Sequence, residues 1–325
     1  MKKVLGMGNA LVDVLASIDN DNILITLGLP KGSMQLIDEA KLEIISKEMD
    51  KLNPEIVSGG SAANTIVGLA QLGVDTGFIG KIGKDQFGNH FKRDMHKYNI
   101  TSYLTEVDEP SGVASTFFIA KDGERTFGTY LGAAALLDAG SLNPEDFKGY
   151  EYFYIEGYLV QNYELIKRAI ILAKEAGSEV ILDMASYNIV EASRDFLLDI
   201  IPQYVDIVFA NEDEAKALYN MEAEEAVSQL AEIVDIAIVK TGAKGSWIQQ
   251  GNNKIFIPAR KVNCADSTGA GDLYASGFIF GLINNFPLET CGEMGTLLAS
   301  EVIQSVGAKI PDSKWDRLRD EITSY

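Results

Sequence analysis

From one end of the chain to the other, short apolar runs alternate with longer segments whose apolar residues recur every three or four positions. That alternation predicts strand, helix, strand units around a mostly parallel sheet, and hence an α/β fold. The predicted strands are KVLGMG near 3–8, GFIGKIG near 77–83, YFYIEG near 152–157, EVILDMA near 179–185, DIVFAN near 206–211 and IAIVKTG near 236–242. Two helices are clearest: SAANTIVGLAQLG, stopping at Gly73, and YELIKRAIILAKEAG, stopping at Gly177. In both, glycine follows the last periodic residue, where a helix commonly ends in a left-handed conformation.

Two regions break the rhythm and read as antiparallel β structure. ALVDVLASIDNDNILITLG has polar turn residues between two β-prone runs, and GVASTFFIAKDGERTFGTYLG has the hairpin signal Asp122-Gly123 at its centre. Together they predict a small β lid, from roughly 12–36 and 101–131, inserted into one α/β domain spanning 1–325. The sequence contains no repeat, low-complexity tract or linker.

Charge and cysteine content narrow the chemistry. Twenty-eight Lys and Arg against 47 Asp and Glu give a net charge of -19, which opposes nucleic-acid and anionic-membrane partners. Cys264 and Cys291 are too few for a disulfide framework and suggest core thiols in a reducing cytoplasm. The basic tip and apolar follow-on of MKKVLGMGNALVDVL are broken by Gly6, Gly8, Asn9 and Asp13, so a first buried strand is expected rather than a secretory signal. No segment approaches the roughly 20 apolar residues of a membrane span.

Common motifs fail one by one. Leu11 replaces the third glycine of a dinucleotide fingerprint that would begin at Gly6, leaving little support for a dehydrogenase. Gly83-Lys84 is followed by Asp85 where a P-loop needs a hydroxyl, and no G-x-S-x-G elbow or protein-kinase signature occurs. His90 and His96 form no metal pattern and read as helix surface.

The stretch DSTGAGD, residues 266–272, is different. Ser267 or Thr268 is placed to cap a helix beginning at Gly269, whose free N–H groups and positive dipole end would face an anion. Glycines let that backbone approach a phosphate closely. Asp272 falls in the first turn, where a carboxylate beside an anion site is suited to accept a proton. Anion hole and base together suit phosphoryl transfer.

With its flanks, CADSTGAGDLYASGF resembles the C-terminal signature of the ribokinase-like (PfkB) family of ATP-dependent sugar and nucleoside kinases. The likeness extends along the chain through Asp13 after the first strand, SGGSAANT, Asn211-Glu212-x-Glu214, KTGAKG and the tail ASEVIQSVGAKIP, in family order. It implies a three-layer α/β/α sandwich with a β lid, ATP and Mg2+ as cofactors and, as in some members, a monovalent cation near Asp266 and Ser267. It implies Asp272 as base and the amides of Gly269, Ala270 and Gly271 as anion hole. Asp13 and Asn64 would bind substrate hydroxyls, with Gly59 and Gly60 letting the ring approach the backbone. Asn211, Lys240, Gly242, Gly245, Ser267 and Thr268 would lie near the nucleotide, and Glu214 would organise magnesium through water. Lys240 stands where many members carry threonine. A non-catalytic sugar or nucleoside sensor on the same fold would have no use for Asp272.

GMGNALVD and FGTYLGAAALL resemble bacterial adenosine-kinase-like members more than ribokinases, which implies a nucleoside acceptor, with a plain sugar or sugar acid as the alternative. Phe117, Phe118, Phe127 and Tyr130 are placed either to stack on a base or to form the lid's own core. Lid strands join subunits in some members, so the resemblance leaves room for a homodimer.

Overall fold

VLGM, buried at every position, forms the strand Val4–Met7 in the middle of the main sheet. The computed structural model describes residues 2–119 and 125–324. In chain order its strands are β1 (Val4–Met7), β2 (Leu11–Ile18), β3 (Met34–Leu36), β4 (Glu55–Gly59), β5 (Thr76–Gly83), β6 (Thr101–Val107) and β7 (Gly112–Ile119). They continue with β8 (Arg125–Tyr130), β9 (Tyr152–Glu156), β10 (Glu179–Asp183), β11 (Ile207–Asn211), β12 (Ile236–Lys240), β13 (Gly245–Gln250) and β14 (Asn253–Pro258).

The larger sheet runs β14-β13-β12-β11-β10-β9-β1-β5-β6. All its pairs are parallel except the terminal β12-β13-β14 meander. Parallel strands are covered on both faces and therefore read as continuous apolar runs. One face packs beneath the helices Tyr163–Glu175, Arg194–Tyr204 and Ala223–Leu230, the other beneath Ser61–Gln71, Gln86–Lys97 and Ala270–Ile283. This is the three-layer arrangement expected, and all six predicted strands lie in it.

The smaller sheet, β3-β8-β7-β2-β4, takes up most of the segments expected to form a lid and is termed the lid. Its make-up differs from the expectation in three respects. Residues 101–107 form β6 at the edge of the main sheet, while Glu55–Gly59 joins the lid as β4. The apolar run after the first turn is the helix Asn22–Leu27, because its buried residues Leu24 and Leu27 are three apart and Gly28 closes it at φ 58°. The Asp122-Gly123 turn lies outside the described residues, although β7 and β8 on either side do pair antiparallel.

Alternation sorts the lid's two faces. Val14, Ala16, Ile18, Val113, Phe117 and Ile119 join Ile45 and Met49 of the helix Glu39–Met49 and Leu24 and Leu27 in one buried cluster, so helices cover the outer face. Asp13, Leu15, Thr116, Phe118, Arg125 and Phe127 share the opposite face by register. Cys291 is buried, but Cys264 is exposed and is not the core thiol expected. Among the described residues no helix is long and apolar enough to cross a membrane.

Candidate active site

Four adjacent strands of the main sheet, β9, β10, β11 and β12, end on Glu156, Asp183, Asn211 and Lys240. Apolar side chains hold each strand between helix layers, and the last residue emerges where the layers end. The carboxyl edge of an open parallel sheet is where ligands bind in such folds. The signature helix Ala270–Ile283 and the helix Ser61–Gln71 start at the same edge.

These two helices meet closely. A Cβ on Gly68 would lie 2.8 Å from Cβ of Ser276, and Ser276 Oγ donates to the Thr65 carbonyl at 2.9 Å. That contact sets the first turns side by side. Asn64 Nδ2 donates to Oδ2 of Asp272 at 2.9 Å and Ser61 Oγ donates to Oδ1 at 2.7 Å. Burial pushes the half-buried Asp272 carboxyl up to about 6 against those two donors; Asp183 pushes it further up and Lys240 pulls it down. Asn64 Oδ1 is buried and finds no donor among the described residues.

Asp13 faces the same space from the lid. A Cβ on Gly59 would lie 2.5 Å from Cγ of Asp13, so any side chain there would displace that carboxylate. Gly60, at φ 98°, turns the chain into the helix that carries Asn64. Burial raises Asp13 to about 6, opposed by Lys309 and Arg125 and reinforced by Asp272. Beneath the turn Glu156 accepts from the backbone N–H of Asn9 (2.8 Å), Nδ2 of Asn9 (2.6 Å) and the N–H of Ala62 (2.9 Å). Burial nevertheless lifts Glu156 to about 7.

The signature loop departs from the capping expectation. The N-cap is Gly269 at φ 76°, pressed against Ala308, and no side chain among the described residues caps the helix. Thr268 Oγ1 instead accepts from Nη1 of Arg125 at 3.1 Å, and the Ala270 N–H turns back to the Ser267 carbonyl at 3.2 Å. The Gly269 and Gly271 N–H groups find no acceptor among the described residues. Asp266 is buried and accepts from Thr268 N (3.0 Å) and Gly307 N (2.6 Å), and it forms an ion pair with Arg125. Arg125 thus ties the lid to the signature loop.

Lys240 pairs with Asp183 at 3.0 Å, and a Cβ on Gly271 would lie 3.2 Å from its ammonium. Burial works against this charge, but Asp183 and Glu214 more than offset it and hold the ammonium above its ordinary pKa. Asn211 and Glu214 form a reciprocal cap at the start of the helix Glu212–Tyr219. Both Glu214 oxygens accept from Asn211, at 2.7 and 2.6 Å, and the residue is 2% exposed. Such a carboxylate fits a magnesium ion through water rather than by direct coordination. Gly242 (φ 55°) and Gly245 (φ 137°) shape the turn after β12.

Asp13, Asn64, Lys240 and Asp272, predicted from dispersed motifs, therefore meet around one space. Ser61, Glu156, Asp183 and Arg125 were not foreseen. The polar ending of an apolar strand could have flagged Glu156 and Asp183; Arg125 gave no local signal. His96 is exposed, as expected, while His90 sits half-buried with Nε2 3.9 Å from Asp94.

The sequence pattern of the pfkB family carbohydrate kinases matches residues 36–315. The chain belongs to that family. A solved adenosine kinase from Sinorhizobium meliloti is 33% identical to this pfkB kinase, covers 98% of it and 99% of itself, and superposes with a TM-score of 0.88. A probable sugar kinase from Rhizobium etli is 32% identical, with 98% coverage of both chains and the same TM-score. Adenosine kinase 2 of Arabidopsis thaliana is 27% identical over 95% of this chain and 96% of its own. As a member of this family the protein is a phosphotransferase that uses ATP.

Proposed function

We propose that this kinase transfers the γ-phosphoryl group of ATP to a hydroxyl of a nucleoside, with an adenosine-like acceptor favoured over a plain sugar. The observation that carries the reading is the inner face of the lid. Leu15, Phe118 and Phe127 lie there half-exposed beside Asp13 and Arg125, and Met34 pairs in register with Phe127 at the rim, 50% exposed. A sugar ring has little apolar surface to offer such a wall, whereas a planar base can stack on it. Phe117 and Tyr130 are buried in the lid instead, Tyr130 donating to Glu109 at 2.7 Å. Across the cleft Tyr158 follows β9, 38% exposed, within the field of Glu156 and Asp272.

Asp13 accepts from the acceptor's hydroxyls, and a further hydroxyl donates to Asn64 Oδ1. Asp272 takes the proton of the attacking hydroxyl as its oxygen bonds to the γ-phosphorus and the bond from phosphorus to the β,γ-bridging oxygen breaks. ADP leaves with that electron pair. The Gly269 and Gly271 amides stabilise charge on the moving phosphoryl oxygens. Lys240 and Arg125 supply positive charge on either side, each exchanging a carboxylate partner for phosphate. Asn211, Gly242, Gly245, Ser267 and Thr268 line the nucleotide side. Magnesium, organised by Glu214 through water, supplies charge neutralisation on the phosphates.

The test is magnesium-dependent ATP consumption against adenosine, other nucleosides, ribose, fructose and keto-deoxygluconate, with Asp272→Asn as the blank. Turnover on a nucleoside, with Phe118→Ala raising the KM for it, supports the reading. Turnover on a sugar alone discards the nucleoside, and tight binding of one compound without turnover favours a sensor.

A further inference from the structure

The C-terminal segment 307–309 connects the signature loop to the acceptor side of the cleft. Gly307 donates to Asp266, and Ala308 Cα lies 2.8 Å from where a Cβ on Gly269 would stand. Lys309 then reaches away from the loop. Its ammonium donates to Ser58 Oγ at 2.5 Å and to Asp94 Oδ2 at 2.9 Å, while Ser58 Oγ donates to the same Asp94 oxygen at 2.6 Å. The triangle is well enclosed: the Lys309 and Asp94 side chains are 20% and 21% exposed, and Ser58 is 2% exposed. The Tyr98 ring lies 5.8 Å from the ammonium and His90 Nε2 lies 3.9 Å from Asp94.

Ser58 is the residue before Gly59 and Gly60, and it pairs with Val12, the residue before Asp13. A hydrogen bond to Ser58 therefore acts on both strands that form the acceptor pocket. We propose that Lys309 is a positioning residue for the acceptor: pinned by Ser58 and Asp94, it fixes the Gly59-Gly60 turn and the Asp13 carboxylate relative to the signature loop. Its charge acts in the same direction as its geometry. The charges of Lys309, Arg125 and Asp272 all act on Asp13, and of the two cations Lys309 does more to oppose the effect of burial. Without it, Asp13 would hold its proton to higher pH. This inference rests on the kinase reading and on Asp13 as an acceptor ligand.

The experiment compares wild type, Lys309→Met, Lys309→Arg and Ser58→Ala in steady-state kinetics across pH 5.5–8.5, on the acceptor that wild type turns over. For Lys309→Met the expected result is an acceptor KM about tenfold higher at neutral pH, an ATP KM within about twofold of wild type, and an acid limb of kcat/KM for the acceptor displaced upward by about one pH unit. Lys309→Arg should restore most of both effects. A folded Lys309→Met with unchanged acceptor KM and acid limb would overturn the proposal while leaving the kinase reading intact. So would equal rises in both KM values. If Lys309→Met does not fold, Ser58→Ala, which keeps the Lys309–Asp94 pair, must raise acceptor KM alone for the proposal to stand. Wild type inactive on every acceptor would overturn both readings.

Discussion

Asn64 donates to Asp272 at 2.9 Å while the other end of its amide, Oδ1, is buried with nothing to accept from among the described residues. Leaving a buried acceptor unsatisfied costs about 1–3 kcal/mol, and a donor brought by the ligand would remove that cost. Asn64→Ala is therefore expected to raise the acceptor KM by about ten- to a hundredfold with the ATP KM little changed. Initial-rate measurements with each substrate varied in turn check this, and an effect on ATP alone would place Asn64 outside the acceptor pocket.

Asp272 accepts from Asn64 on one carboxylate oxygen and from Ser61 on the other. Asp272→Asn keeps the shape and removes the proposed base, so kcat should drop by at least about a hundredfold with ATP affinity preserved. Calorimetric titration of ATP into the folded variant, alongside the rate, separates these quantities. Turnover near wild type would remove the base assignment.

Activity and stability should respond to pH in opposite senses. Asp13 and Asp272 are raised to about 6, and Glu156 and Glu214 to about 7, in each case mainly by burial. In their proposed roles Asp13 and Asp272 act ionised, so kcat/KM should decline as pH falls through about 6, with apparent values belonging to the interacting pair. For stability, the folded chain retains protons that the unfolded chain has released above its ordinary carboxyl pKa. The contribution of these groups is therefore full at low pH and is lost as pH rises through 6 to 7. Glu156→Gln mimics the protonated form, so its Tm relative to wild type should improve from pH 5 to 8. A pH-independent difference would show that Glu156 does not titrate in this range.

Ala185 offers a separate test of stability. It follows β10 at φ 63°, a left-handed conformation that is unfavourable for alanine by roughly 1–2 kcal/mol. Glycine removes this strain but gains freedom in the unfolded chain, worth about 0.4–1 kcal/mol. Ala185→Gly should consequently raise stability by about 0.5–1 kcal/mol, measured by urea unfolding. A loss of stability would mean that the Ala185 methyl group packs usefully.

The sequence revealed those parts of the fold whose cause is local. Continuous apolar runs marked the buried parallel strands, and Gly73 and Gly177 marked helix ends. NILITL misled because its β-branched residues favour a strand, whereas tertiary burial of Leu24 and Leu27 selects the helix. The signature residues were legible because one loop holds both amides and carboxylate. Arg125 and Lys309 were not, since their partners lie 143 and 251 residues away, at Thr268 and Ser58, and only the folded topology brings them together.

The row of strand ends also bears on how such an enzyme can change. Glu156, Asp183, Asn211 and Lys240 each terminate a strand whose preceding residues are held in the core. Exchanging one of them alters the charge facing the ligand while the apolar side chains that determine folding stay in place. The sheet behaves as a fixed rack whose tips are interlocked: Asp183 is tied to Lys240, Glu156 to Asn9 and Ala62, and Asn211 to Glu214, so altered phosphate or acceptor preference at this edge requires each tip to change together with its partner.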